Sequence, residues 1–341
     1  YLPNATAFKN YVNHEKWGNF VIKCPIDSTN TFTIHVDQPG TLAYRILETA
    51  EQWSNVFELT ITGTLNNEDM AYFSYMKYLQ KLDLSGANIS NIGGCMGLSC
   101  LSEIILPSTV TSIDEYAFYM CQSLTEIDMS NITTIKKDAF CESGLTSVYL
   151  PKATTVGNYA FQRCTKLTDV TLPVATTIGD YAFFDCYNLF YLTMPLVTTI
   201  GDYAFSYSYY MSWKIKELDL SNVTSLGKRA FGDSGTSYEY DEEGNMTLEK
   251  VILSDKLEIL PYECFAGCKA LKEMGGIYFD TDMEVTKDIS NRGYKFNKIS
   301  SLKRHIYLSL LFTYLIPFMT WVLARNRTGK QRTCLLRLLC L

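Results

Sequence analysis

A short apolar pattern repeats along the middle of the chain. Each copy has the form apolar-x-x-apolar-x-apolar, as in Leu167, Val170 and Leu172, and its last residues alternate between apolar and polar. Such alternation is typical of a short β-strand with one buried face. A proline often follows and ends strand pairing, because its nitrogen has no hydrogen to donate. The pattern therefore predicts a series of short, half-buried strands.

An Ala-Phe pair sets the period of this pattern. Its phenylalanines are spaced by 21 to 26 residues, most often by 22, and a glycine followed by a possible helix cap such as Asp180 precedes several of them. A 22-residue unit has an apolar face and nothing of its own to cover it, so identical units must stack and share a core. A β-propeller would need a period about twice as long. The phenylalanines are Phe118, Phe140, Phe161, Phe183, Phe205 and Phe231.

These features predict an α/β repeat solenoid. The strands would form one curved parallel β-sheet, and the Ala-Phe segments would form short helical turns on the convex side. Residues 55–275 hold about ten copies of the pattern, from Val56 to Met274. Residues 1–54 would cap the open end of the core, with a helix beginning near Thr41. A second helix would begin near Asn67.

The repeat unit resembles a known family. The segment LTDVTLPVATTIGDYAFFDCYN is similar to the leucine-rich repeat of the BspA-like (Treponema-type) class, and the segment from Val36 onward resembles the start of the array in surface leucine-rich-repeat proteins of Bacteroidetes. The resemblance covers residues 36–274. It implies a leucine-rich-repeat solenoid in a secreted bacterial protein of the cell surface, with a role in adhesion or protein binding and without catalysis.

The end of the chain has a different character. Residues 276–304 are interpreted as a linker, and residues 305–341 as a hydrophobic and basic tail. Ile306 to Ala324 are 19 residues without charge, which as a helix would span about 28 Å, close to the thickness of the hydrocarbon core. Two interpretations are open: a membrane anchor with the solenoid outside, or an artefact at the end of the chain.

Charge and composition exclude several functions. Residues 301–341 carry seven cations and no acid, which leaves 23 cations against 36 acids in residues 1–300, a net charge of −13. Nucleic-acid binding requires a cationic face, so we expect none. The three histidines are far apart in the sequence, and no nucleotide-binding, hydrolase or zinc motif occurs. We therefore expect no enzyme activity, no cofactor and no metal site.

The eleven cysteines follow the repeat. Several lie three residues after the repeat phenylalanine, where serine occurs in other turns. This position predicts buried free thiols, since free cysteine behaves as a small apolar residue. A disulfide between Cys164 and Cys186 on adjacent turns is the alternative.

Two insertions interrupt the period. Residues 206–214 add aromatic side chains, and residues 232–247 are acidic. We interpret the acidic insertion as a β-hairpin with its turn at residues 243–245. A calcium loop at Asp241, Glu243 and Asn245 is the alternative, although its glycine and closing glutamate are misplaced.

The outward positions of the strands are candidates for partner binding. Between the apolar positions, the middle turns carry hydroxyl and aromatic side chains flanked by carboxylates, and the aromatic insertion follows closely. An aromatic centre with a charged rim is typical of a protein interface, whereas ordinary cross-strand packing explains the same residues without a ligand. The candidate residues are Tyr149, Thr171, Tyr191, Thr193, Asp128, Asp169, Tyr209 and Trp213.

Two classes of function follow. The first is a protein-interaction or adhesion module, extracellular or on the cell surface, that binds host extracellular matrix or another cell through the concave sheet. The second is a carbohydrate-binding surface protein, because tyrosine-rich surfaces stack on sugars. A third hypothesis is an enzyme domain lost with a truncated end.

Overall fold

The computed structural model describes most of the repeat array. The described residues are 30–50, 56–207, 215–232, 248, 250–254, 256–257, 259–261, 264–265, 277–279, 283–286 and 293–298. The hydrophobic tail, the acidic insertion with its calcium alternative, and most of the aromatic insertion lie outside these residues. No helix in the described part of the chain is long and apolar enough to cross a membrane.

The strands of the Leu-x-x-Leu-x-Leu run form one side of the molecule, here called face 1. Its ten strands are parallel and fall into three sheets, ordered β1-β2-β3-β5, β8-β10-β12 and β14-β16-β18. The strands are β1 Thr31–Val36, β2 Glu58–Thr64, β3 Lys81–Asn88, β5 Glu103–Ile105, β8 Ser147–Tyr149, β10 Asp169–Thr171, β12 Tyr191–Thr193, β14 Glu217–Leu220, β16 Lys250–Leu253 and β18 Ile277–Phe279.

A second set of strands forms a separate side, face 2. These strands are only two residues long, yet all seven pair in parallel as one unbroken sheet. They are β4 Asn91–Ile92, β6 Ser112–Ile113, β7 Thr134–Ile135, β9 Thr155–Val156, β11 Thr177–Ile178, β13 Thr199–Ile200 and β15 Ser225–Leu226. The chain is thus a parallel β-solenoid of about seven turns with few helices, which confirms the predicted leucine-rich-repeat architecture.

The repeat phenylalanines stack through the core between the faces. Phe161 is fully buried, and its ring centroid lies 5.2 Å from that of Phe140 and 5.1 Å from that of Phe183, with the rings nearly parallel. The same stacking continues through Phe231 to Phe265. Face 1 contributes buried residues such as Val170 to this core. Each turn therefore covers the apolar face of the next, as the sequence predicts.

The Ala-Phe segments are β-turns and not the predicted short helices. Tyr116 and Met120 have φ values of 58° and 59°, in the left-handed region that an α-helix excludes. Between them, the Phe118 N–H donates to the carbonyl of Ala139 on the next turn, at 2.7 Å. Because these N–H groups bond between turns, they are not free for helical bonds within a turn. A third ladder of main-chain hydrogen bonds therefore joins the turns beside the two faces.

Face 1 is interrupted where the repeat is one residue short. Residues 126–128 belong to no strand, although face 2 crosses the same turn through β6, β7 and β9. The missing residue lies between Phe140 and Leu145, where the chain turns at Gly144. A Cβ atom on Gly144 would lie 2.2 Å from the carbonyl oxygen of Gln122, so only glycine fits this close approach.

Asp69 joins the elements at the amino-terminal end. The helices are α1 Leu42–Ala50, α2 Asn67–Ala71 and a 3₁₀ helix at Tyr72–Tyr75. Asn66 caps α2 one residue before the predicted start, in a reciprocal capping box with Asp69. The buried Asp69 carboxylate also accepts hydrogen bonds from the Gly40 and Leu42 N–H groups, at 2.7 and 3.0 Å. The start of α1 is thus tied to α2.

Three further strands lie beyond the main array. β19 Met283–Thr286 and β20 Gly293–Lys298 form an antiparallel sheet with β17 Ile259–Pro261. Strands β18, β19 and β20 fall in residues 276–304, the range interpreted as a linker. The division of the chain into cap, ten-turn array, linker and tail stays a prediction.

Candidate functional site

The structure brings five of the eight candidate residues together on face 1. In the strand register, Thr171 is paired with Tyr149 on one side and with Thr193 on the other. Asp169 is paired in the same way with Ser147 and Tyr191. The side chains point outward because the residues between them, Val148 and Val170, are buried. The two rows therefore lie side by side across β8, β10 and β12.

Aromatic rings dominate the exposed surface of these rows. The side chains of Tyr149 and Tyr191 are 58% and 61% exposed. Phe190, which was not among the candidates, is 45% exposed, and its ring packs edge-on against that of Tyr191 with centroids 4.5 Å apart. Exposed rings grouped in this way are typical of protein-binding surfaces.

A break in the repeat could have identified Phe190 from the sequence. The four preceding turns have serine or threonine at its position, and the hydroxyls of Ser102 and Thr146 each donate to a main-chain carbonyl of the preceding turn, at 3.1 and 3.2 Å. Phe190 replaces this hydroxyl with an exposed ring. Its turn loses the side-chain hydrogen bond and gains an apolar surface.

Asp128 has a structural role on the same side. Its carboxylate accepts a hydrogen bond from the Ser130 N–H at 2.9 Å, and this bond lowers the pKa of Asp128. Asp83 and Asp219 make the same contact with the second residue after them. These Asp-x-Ser turns stand where other turns have a proline, so the carboxylate helps to end the run. The prolines are Pro107, Pro151, Pro173 and Pro195.

The aromatic insertion cannot be placed beside the rows. Tyr209 and Trp213 lie outside the described residues. Tyr207, at the start of the insertion, is 9% exposed and belongs to the core, so it adds no exposed ring to the candidate surface.

Five of the described cysteines are buried thiols with raised pKa values. Cys164 and Cys186 are free, so the alternative of a disulfide between them is wrong. The Cys164 thiol donates to the carbonyl of Phe140 at 3.1 Å, and burial raises its pKa to about 12. Burial likewise raises the pKa values of Cys95, Cys121, Cys141 and Cys186. Cys100 is disulfide-bonded.

The described residues contain no group of three or more histidine, cysteine, aspartate or glutamate side chains that could hold a metal ion.

A cleft with a polar lining lies between α2 and β4. It is rich in amides and hydroxyls, and its lining includes Asn66, Asn67, Glu68, Asn88, Ser90, Asn91 and Thr109.

Comparisons with solved structures find leucine-rich-repeat proteins. One is a leucine-rich repeat protein from Bacteroides ovatus, with 18% identity, a TM-score of 0.37 and 64% of each chain covered. The present chain thus spans about two thirds of the length of that protein. Another is a leucine-rich cell surface protein from Faecalibacterium prausnitzii, with 16% identity, a TM-score of 0.27, and 67% of this chain and 80% of that chain covered. No curated protein sequence matches the chain.

A family model matches most of the repeat array. The model of the BspA-type leucine-rich repeat region matches six copies, over residues 94–212, 133–272 and 236–303. These ranges together cover more than half of the 341 residues and include both rows of face 1. With its stacked parallel strands and its repeat phenylalanines, the chain belongs to the BspA-type leucine-rich-repeat family.

Proposed function

We propose that this protein is a non-catalytic interaction and adhesion module of the cell surface, which binds a protein partner through face 1. The observation that carries the proposal is the group of exposed rings at Tyr149, Phe190 and Tyr191, in the middle of an otherwise regular stack. Interfaces tend to have aromatic side chains at their centre and charged side chains at their rim. Face 1 fits this arrangement, because Asp169 lies beside Tyr191 and Glu126 lies in the turn that precedes β8.

The state of Cys100 supports a location outside the cytoplasm. Disulfides form and persist in oxidising compartments and are rare in the cytosol. A disulfide at Cys100 therefore fits an extracellular or surface-displayed protein. We propose host extracellular matrix or another cell surface as the source of the partner, and residues 305–341 as a possible route of attachment to the membrane.

Paired substitutions on the two faces test this function. Tyr149→Ala and Tyr191→Ala should each weaken binding of the full chain to a partner selected from a panel of purified extracellular-matrix proteins, by about tenfold if the rings are central to the interface. Thr155→Ala changes an exposed residue of face 2 and serves as the matched control. If both tyrosine variants bind the partner with unchanged affinity, face 1 is not the binding surface.

A carbohydrate ligand is the second candidate. The amide-rich cleft between α2 and β4 offers donors and acceptors that suit sugar hydroxyls, and the exposed ring of Tyr191 could stack on a sugar. A glycan array with the full chain tests this candidate. Asn88→Ala should abolish a signal that arises in the cleft, Tyr191→Ala a signal that arises on face 1, and an array without any signal would exclude the candidate.

A further inference from the structure

Each end of face 1 has a lysine–carboxylate ion pair, and the described residues of its middle have none. In the outward rows, the Lys81 ammonium lies 2.7 Å from the carboxylate of Glu103, and the Lys250 ammonium lies 3.0 Å from that of Glu217. Both lysines are therefore engaged. Between these pairs, three carboxylates form no ion pair with any described residue: Glu126, Asp128 and Asp169.

The exposed ring of Tyr191 is a direct neighbour of one of these carboxylates. Tyr191 is directly opposite Asp169 in the register of β12 and β10, so the two side chains start about 5 Å apart. Tyr149 takes the position that Asp128 takes one turn earlier in the array. The middle of face 1 thus presents aromatic faces and uncompensated negative charges side by side.

A guanidinium group fits this combination better than any other side chain. It is planar, it stacks on an aromatic ring, and it donates two parallel hydrogen bonds to a carboxylate. A lysine ammonium has the same charge but cannot make the stacked and the two-pronged contact together. We propose that face 1 binds a cationic, arginine-bearing segment of its protein partner, with an arginine side chain seated between Tyr191 and Asp169. This inference rests on the proposed function of face 1 and adds the chemistry of the partner.

Labelled peptides test the preference for arginine. We would measure fluorescence polarisation of nona-arginine and nona-lysine, each carrying fluorescein, with the full chain at physiological salt. Nona-arginine should bind at least about fivefold more tightly than nona-lysine. Asp169→Asn and Tyr191→Leu should each weaken nona-arginine binding by about five- to tenfold, whereas Tyr191→Phe should retain it because the ring remains.

A charge-matched variant separates this site from general attraction to an acidic protein. Glu115 is exposed and lies outside face 1, so Glu115→Gln removes one negative charge elsewhere and should change nona-arginine affinity by less than about twofold. Equal affinities for the two peptides, or equal losses in Asp169→Asn and Glu115→Gln, would overturn the proposal. Thermal unfolding of each variant checks that it is folded, and none of the substituted residues, Asp169, Tyr191 and Glu115, is buried.

The outcome is distinguishable from that of the proposed function. If binding to a matrix protein depends on Tyr149 and Tyr191 while nona-arginine does not bind, the cationic partner is wrong and face 1 remains the binding surface. If substitutions on face 1 change neither the affinity for the matrix proteins nor the affinity for nona-arginine, both proposals fail.

Discussion

Face 1 and face 2 belong to the same stack but differ in what they repeat. The outward row of face 2 is nearly uniform, with threonine in the four central turns and serine or asparagine in the others. The outward rows of face 1 change from turn to turn, between carboxylate, hydroxyl and aromatic side chains. Because the turns share one backbone, a repeat protein can be compared with itself. What the stack requires recurs in every turn, and what varies is free for another purpose.

A second row of threonines, one residue before the strands of face 2, has a structural role. Before four of the seven strands, this threonine donates its hydroxyl to the carbonyl of the equivalent residue one turn earlier. Thr133 bonds in this way to Thr111, Thr176 to Thr154 and Thr198 to Thr176, at 3.1 to 3.3 Å. These bonds add a side-chain ladder to two-residue strands that pair through few main-chain groups. Face 1 lacks such a ladder at Phe190 and is broken at residues 126–128.

The largest expected effect lies in the core that the two faces share. Phe161→Ala removes a fully buried ring from between two stacked neighbours and should lower the free energy of unfolding by about 3–5 kcal/mol, since the stack cannot close the cavity. Chemical denaturation measures this loss. Phe190→Ala removes the same side chain from the surface of face 1 and should cost less than about 1 kcal/mol. Similar losses in the two variants would contradict the assignment of core and surface.

The buried thiols give the shared core a pH dependence. The Cys164 pKa is about 12 in the folded protein and about 9 in the unfolded chain, so the unfolded state releases its proton first as the pH rises. The free energy of unfolding should therefore not depend on this thiol below pH 9. Above pH 9 it should fall by up to about 1.4 kcal/mol per pH unit for each such thiol. Denaturation between pH 8 and 10 measures the slope. Cys164→Ala should reduce the slope, and an unchanged slope would show that this thiol does not contribute.

The threonine ladder of face 2 should have a smaller effect. Thr176→Val keeps the shape of the side chain and removes the hydrogen bond to the Thr154 carbonyl, which should cost about 0.5–1.5 kcal/mol in the free energy of unfolding. Thr177→Val, one residue later, removes a hydroxyl that makes no hydrogen bond to another described residue and should be nearly neutral. The difference between the two midpoints of denaturation is the test. A larger loss in Thr177→Val would show that the threonine ladder does not stabilise the stack.

The smallest expected effect on stability is on face 1. Tyr191→Ala removes a ring that is 61% exposed and should change the free energy of unfolding by no more than about 0.5 kcal/mol. Thermal unfolding of this variant and of the original chain measures the change. A loss above about 2 kcal/mol would mean that Tyr191 serves the stack and is not free for a partner.

Much of the fold was predictable because the period and the alternation leave few choices. A 22-residue spacing with buried residues such as Val148 and Val170 determines which strands pair and which side chains point outward. The same spacing places Tyr149, Thr171 and Thr193 in one row, as the strand register shows. It depends only on the fact that every turn repeats the same register.

Other features depend on contacts between turns, which a single unit does not display. The segment Asp180-Tyr181-Ala182-Phe183 has the composition of a capped helical turn, yet the N–H groups of Tyr181 and Phe183 bond to carbonyls of the next turn and hold it as β-turns. The exposed Phe190 is not predicted by the alternation of the strand residues, because it precedes β12. The three-way acceptor role of Asp69 joins residues 29 positions apart in the chain, and no local pattern shows it.

The central claim, that face 1 is the surface a partner contacts, is tested most directly by site-specific photo-cross-linking. A benzoylphenylalanine residue would replace Tyr191 on face 1 in one chain and Thr155 on face 2 in a second, and each chain would be irradiated with the same panel of purified matrix proteins. We predict a cross-linked complex from position 191 and none from position 155. Cross-linking from position 155 alone, or equally from both positions, would contradict the account.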